Sequence, residues 1–103
     1  MLYTDYQGKE INLSPERWKH INNKHPETMH QEKIVNDTIT DPDYIQEGSR
    51  GEKLSIKKFA KTPVSENKYC IVVYKNISLD KGFILTVYFT RRPSFKRKII
   101  WKK

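Results

Sequence analysis

The chain has a single cysteine, Cys70, among its 103 residues, which excludes an intrachain disulfide framework. Its setting in an apolar strand pattern marks it as a packing residue rather than a reactive thiol. Long hydrophobic runs are also missing. The longest strongly apolar stretch, residues 69–74, is far too short to span a bilayer, and the N-terminus has no basic-then-apolar leader pattern. A soluble, cytoplasmic protein with no membrane partner is therefore expected. Metal-ligand spacing is lacking too: there is no Cys-x-x-Cys pair and no carboxylate triad, and His20, His25 and His30 stand five residues apart instead of four, with Pro26 interrupting the helix between the last two. No metal and no other cofactor is expected. Finally, the second half is nearly devoid of acids. Residues 53–103 hold fourteen Lys or Arg against Glu66 and Asp80, whereas residues 1–52 hold six against ten. Within a formal net charge of +8, that asymmetry describes a surface that attracts phosphate.

What is present suits one domain, residues 1–103, with a modest core. Residues 2–13 read as a short hairpin with Asp5-Tyr6-Gln7-Gly8 as its turn. Ser14 is a good helix N-cap, Pro15 fits the first helical position, and Glu16 faces the positive end of the dipole. Leu13 and Trp18 stand at the staple positions around that cap. The spacing predicts a helix from Pro15 to about His25, stopped by Pro26, and a second over residues 28–39 on the stripe Ile34, Val35, Thr38 and Ile39. Beyond Gly48 the texture is that of strands, at residues 54–60, 69–75, 83–90 and 98–101, joined by turn-rich loops at 61–68 and 76–82. The expected fold is α+β: an N-terminal hairpin and two helices packed on a four-stranded antiparallel sheet.

Histidine is the side chain best suited to proton transfer near neutral pH. At roughly 100° per residue, His25 falls between Trp18 and Ile21 on the apolar side of its helix and His20 on the far side near Arg17 and Lys24, so the two cannot share a face. Each also has a plain structural reading, His25 as a capping or half-buried residue and His20 as a solvated one. His30 is most simply a surface residue. Among the strands, alternation puts Leu54, Ile56 and Lys58 opposite Ser55, Lys57 and Phe59, and it puts Phe83, Leu85, Val87, Phe89 and Arg91 opposite Ile84, Thr86, Tyr88 and Thr90. The closing run, with Lys96, Arg97, Lys98 and Trp101, mixes cations with an aromatic as a backbone-binding strand does. It reads equally as an edge strand guarded by lysines.

The string Ser14-Pro15-Glu16-Arg17-Trp18-Lys19-His20-Ile21, followed by His25-Pro26-Glu27 and by Pro42-Asp43, resembles the opening of the phage-associated nuclease families of the barnase, EndoU, colicin and RelE-like superfamily. The apolar stretches 69–74, 82–90 and 98–101 fit the same resemblance, which covers most of the chain from Ile11 onward. It implies a metal-independent endoribonuclease in which attack of a ribose 2′-OH on its phosphate leaves a 2′,3′-cyclic phosphate, in a toxin or phage-associated setting. By position His20, His25, Thr90, Arg91 and Lys58 match the family's polar pattern. In that chemistry His25 is the first choice as base or acid and His20 the alternative, Arg91 and Lys58 hold the phosphate, and Thr90 donates to a non-bridging oxygen. Lys57, Arg92, Lys96, Arg97, Lys98 and Trp101 are the expected nucleic-acid contacts, and Tyr88 and Trp101 are candidates for base stacking. Two other classes use the same basic surface: a non-catalytic RNA- or DNA-binding module, and an interaction module for an acidic protein such as an inhibitor. Nothing in the sequence fixes the oligomeric state.

Overall fold

Ser14 opens the first helix as its chemistry dictates. Its backbone is extended and its side chain accepts from the Arg17 N–H, so that α1 (Pro15–Lys24) begins with a satisfied donor. The computed structural model describes residues 1–103, apart from the side chain of Asn67. His25 closes α1, donating its N–H to Ile21 O at 2.7 Å. The second helix, α2 (Glu32–Thr40), starts later than the apolar stripe alone suggests. Pro26–Thr28 forms a separate 3-10 turn, held because the Thr28 hydroxyl donates to His25 O at 2.7 Å and accepts from Asn22 Nδ2 at 2.8 Å. His30 then takes a left-handed backbone (φ 64°), which redirects the chain into α2. No helix is long and apolar enough to cross a membrane.

The expectation of a four-stranded antiparallel sheet is overturned, although the α+β class stands. One seven-stranded mixed sheet contains β1 (Leu2–Thr4), β2 (Glu10–Asn12), β3 (Tyr44–Glu47), β4 (Lys53–Lys61), β5 (Glu66–Asn76), β6 (Lys81–Thr90) and β7 (Ile99–Lys102), in the order β1-β2-β6-β5-β4-β3-β7. Three departures account for the difference. The N-terminal hairpin is part of the sheet, because β2 pairs with β6 in parallel at Glu10–Lys81, Ile11–Gly82 and Asn12–Phe83. Residues 44–47 are a strand, with Ile45 fully buried, and they cover the outer edge of β4. The last strand therefore pairs with β3, not with β6, and residues 91–98 carry the chain from one to the other as a strap.

Both faces of the sheet are apolar, but only one is roofed by helices. On the helix side Ile11, Leu13, Ile21, Val35, Ile39, Cys70, Val72, Tyr74, Ile84 and Val87 form the main core, with Trp18, Ile34, Phe59 and Phe89 packed against it. On the opposite face Leu54, Ile56 and Ile71 form a smaller cluster whose neighbours Tyr44, Tyr69, Val73 and Tyr88 are only partly buried. Strict alternation along β6 fails at one point. Thr86 pairs with Val73 but Ile84 pairs with Tyr74, so Leu85 is an extra residue in a β-bulge. The bulge moves Ile84 to the same side as Val87, contrary to the expectation from period two, and leaves Thr86, Tyr88 and Thr90 on the helix-free face. At its margins the sheet curls: Tyr6 of the β1–β2 turn packs against Trp101 of β7, ring centroids 5.0 Å apart and planes tilted by 45°.

Candidate nucleic-acid interface

Register brings the predicted polar residues together at one end of the helix-free face. Lys58 of β4, Tyr69 of β5 and Thr90 of β6 are direct cross-strand partners and form a row. The Lys58 ammonium lies 5.9 Å from the centre of the Tyr69 ring, a cation–π distance. Two residues before Thr90, the Tyr88 ring faces the His25 ring across 6.0 Å. β2 pairs with β6 only at Lys81–Phe83, so the C-terminal half of β6 has room beside it for the end of α1. That is how a helix residue reaches this face. His25 is about one quarter exposed, and its Nδ1 stands 3.6 Å from Glu27 Oε1. The Thr90 hydroxyl accepts from the Arg92 N–H at 3.3 Å, which leaves its own O–H to donate elsewhere.

The remaining expected site residues divide. Arg91 and Arg92 are exposed just past β6, and Lys96, Arg97 and Lys98 are exposed on the strap. Among the described residues none of these five, nor Lys102, has a carboxylate within salt-bridge distance. His20 is exposed midway along α1 and borders a hollow with Ser14, Glu16 and Arg17, apart from the His25–Tyr88 pair. Lys57 belongs to the helix side, where it donates to Asp41 O at 2.7 Å and pairs with the Asp41 carboxylate at 3.3 Å. Lys103 joins the same carboxylate at 2.9 Å, and these two lysines hold the Asp41 carboxyl below its usual range. Trp101 is engaged by Tyr6. The Lys58 backbone N–H is anchored by Asp43 Oδ2 at 2.8 Å, which fixes the strand that carries its free ammonium. Among the described residues no three His, Cys, Asp or Glu side chains cluster as a metal-binding group.

The strap encloses two hollows on this face. A smaller one, about 110 Å³, is bounded by Leu54, Val73, Tyr88, Glu52 and Arg97; a larger one, about 260 Å³, by Tyr44, Gln46, Tyr69, Phe95, Arg97, Ile99 and Lys102. Arg97 stands on the boundary between them. Burial pushes the Tyr44 hydroxyl above its ordinary pKa, with Tyr69 and Asp43 adding to the effect, so it stays a neutral hydrogen-bonding group at physiological pH. Tyr44, Gln46, Tyr69 and Phe95 were not singled out from the sequence. For the first three the missing information was register, which is needed before residues on separate strands can be assigned to one surface. Phe95 did carry a signal: it is an aromatic in the middle of Arg-Arg-Pro-Ser-Phe-Lys-Arg-Lys, and it is 92% exposed.

A helix-free face with aromatic side chains, a histidine at its rim and unpaired cations around it can stack planar rings, neutralise phosphate and move a proton. Comparison with family models, with curated proteins and with solved structures finds no match, so the nuclease resemblance rests on the sequence motifs.

Proposed function

We propose that the protein is a metal-independent endoribonuclease whose reacting phosphate lies on the helix-free face between His25 and the Lys58–Tyr69–Thr90 row. The observation that carries the reading is the meeting of His25 with Tyr88, two residues from Thr90, on the face crossed by the cationic strap. His20, the alternative proton-transfer residue, borders a separate hollow of about 320 Å³ with Ser14, Glu16 and Arg17, apart from the Lys58–Tyr69–Thr90 row. In this reading His25 takes the proton from a ribose 2′-OH, or gives one to the departing 5′ oxygen, and Glu27 stands beside its Nδ1. Transfer by a positioned imidazole contributes about 10²–10⁴ in rate. Lys58 and Arg91 offset the charge that builds on the non-bridging oxygens, and the free Thr90 O–H donates to one of them. Because the nucleophile is a 2′-OH, DNA is not cut.

Incubating the protein with mixed single-stranded RNA, with and without EDTA, and analysing the fragment ends tests the mechanism. Expected are EDTA-resistant cleavage, 2′,3′-cyclic phosphate ends, and a loss of at least about 100-fold in His25→Ala but not in His20→Ala. Intact RNA that is nonetheless retained in a salt-sensitive way would make the protein a binding module; no retention, with capture of an acidic protein instead, would make it an interaction module.

A further inference from the structure

The larger hollow holds a feature that phosphate binding does not use. Gln46 is buried, at 2% exposure, on the floor of a cavity whose other walls are three rings, two cations and Ile99. Its Nε2 donates to Ser94 O at 2.6 Å. A backbone carbonyl only accepts, so the amide must point its nitrogen at Ser94 and its oxygen away from it. Among the described residues that oxygen, Gln46 Oε1, has no hydrogen-bond partner. A buried amide oxygen without a partner is uncommon and calls for a donor. Tyr44 and Tyr69 border the same space, Phe95 stands exposed at its mouth, and Arg97 and Lys102 supply positive charge at the rim.

We propose that this cavity reads a base of single-stranded RNA, with Gln46 Oε1 accepting from an N–H on the base edge, the aromatic residues stacking its faces, and Arg97 and Lys102 holding the adjoining phosphates. The proposal rests on the RNA reading above but not on cleavage. Three features of the cavity select this occupant. At about 260 Å³ the space is smaller than the roughly 300–1,000 Å³ clefts that take drug-sized molecules, which suits one ring system. Aromatic faces beside unpaired cations are the arrangement by which single strands are held, since every base has a π-face and every nucleotide a phosphate. An acceptor at the floor adds what stacking lacks, a distinction between edges that present N–H donors there and edges that do not. Arg97 borders both this cavity and the hollow at Tyr88, so a nucleotide seated here flanks the proposed reacting phosphate. Gln46 Oε1 is covered in the free chain, and a base must part the rim to reach it. Two of the rim residues, Phe95 and Arg97, are exposed.

The test uses end-labelled 2′-O-methyl hexanucleotides of differing base composition, which cannot be cleaved by 2′-OH attack, with binding measured by fluorescence anisotropy. The unsubstituted protein is expected to prefer one base by about tenfold or more, and Gln46→Leu to reduce that preference to near unity while still binding. Phe95→Ala, at a position too exposed to affect folding, is expected to weaken binding of every oligonucleotide by about fivefold or more. Binding without base preference, a preference unchanged in Gln46→Leu, or unchanged affinity in Phe95→Ala would overturn the pocket while leaving the RNA reading in place. Absence of binding to any hexanucleotide would overturn both.

Discussion

Asp5 and Tyr74 show how a single buried pair ties the hairpin to the core. The Asp5 carboxylate accepts from the N–H groups of Gln7 and Lys9 through Oδ1, both at 2.9 Å, and from the Tyr74 hydroxyl through Oδ2 at 3.1 Å. Tyr74 is fully buried at the centre of the sheet, so burial, and after it the nearby Asp5 charge, push its hydroxyl well above the ordinary tyrosine value. Burial likewise pushes the Cys70 thiol up to about 12. Both groups are neutral when protonated, and the fold keeps the proton after an unfolded chain has released it. Their contribution is thus complete below the unfolded values, about 8.5 for Cys and about 10 for Tyr, and drains away as pH rises toward the folded ones. Thermal denaturation from pH 8 to pH 11.5 should show stability falling through this window. Tyr74→Phe should begin about 1–3 kcal/mol less stable, because Asp5 Oδ2 loses its donor, yet fall less steeply above pH 10. Parallel curves for the two proteins would assign the alkaline loss to other groups.

At the scale of elements, Gly82 is the point where three strands converge. It lies between Ile11 of β2 and Asn76 of β5, and a Cβ added there would sit 2.5 Å from the Lys75 carbonyl oxygen and 3.0 Å from the Ile11 side chain. The obstacle at the shorter distance is backbone and cannot swing aside. Gly82→Ala should therefore cost about 1–3 kcal/mol in a urea titration and loosen the parallel β2–β6 pair, which fastens the hairpin to the sheet. An unchanged midpoint would mean that β2 can shift without penalty. Strong local chemistry made much of this layer legible in advance. The Ser14-Pro15 start, the Pro26 stop, the N-terminal hairpin and the four later strands follow from caps, breakers, turn residues and alternation. Strand order did not, because β3 is four residues long behind Pro42 and too short to display a period, and without it β7 has no visible partner beside β4. The Leu85 bulge was equally hidden: an extra residue leaves no mark on alternation until the neighbouring strand is known. Of the candidate site, His25 could be chosen by helix arithmetic, whereas its nearness to Tyr88 and Thr90 and the floor residue Gln46 depend on that hidden pairing.

For the whole molecule, what matters is which cations are free. The count of fourteen Lys or Arg in residues 53–103 overstates the binding surface, since Lys57 and Lys103 are both committed to Asp41 on the helix side. Lys58, Arg97 and Lys102, by contrast, border the helix-free face, Arg91 and Arg92 are exposed directly after β6, and among the described residues none of the five is paired with a carboxylate. The curl that joins Tyr6 to Trp101 belongs to the sheet's margins and leaves the strap side open to a strand of nucleic acid. Each phosphate neutralised on a single strand releases condensed counterions, so log K falls against log salt with a slope of about −0.7 per contact. If four or five of these cations make contact, the slope for single-stranded RNA should be about −3. Arg97→Ala should weaken binding and make the slope shallower by about 0.7, as Arg91→Ala should. Lys57→Ala should leave it unchanged, because that ammonium is bound to Asp41 on the helix side. Nitrocellulose retention of uncleavable RNA between 50 and 300 mM salt measures all four slopes. Equal losses for Lys57→Ala and Arg97→Ala would mean that net charge, and not the strap-covered face, holds the RNA, whereas the ordered result would tie affinity to the same surface that carries His25 and Gln46.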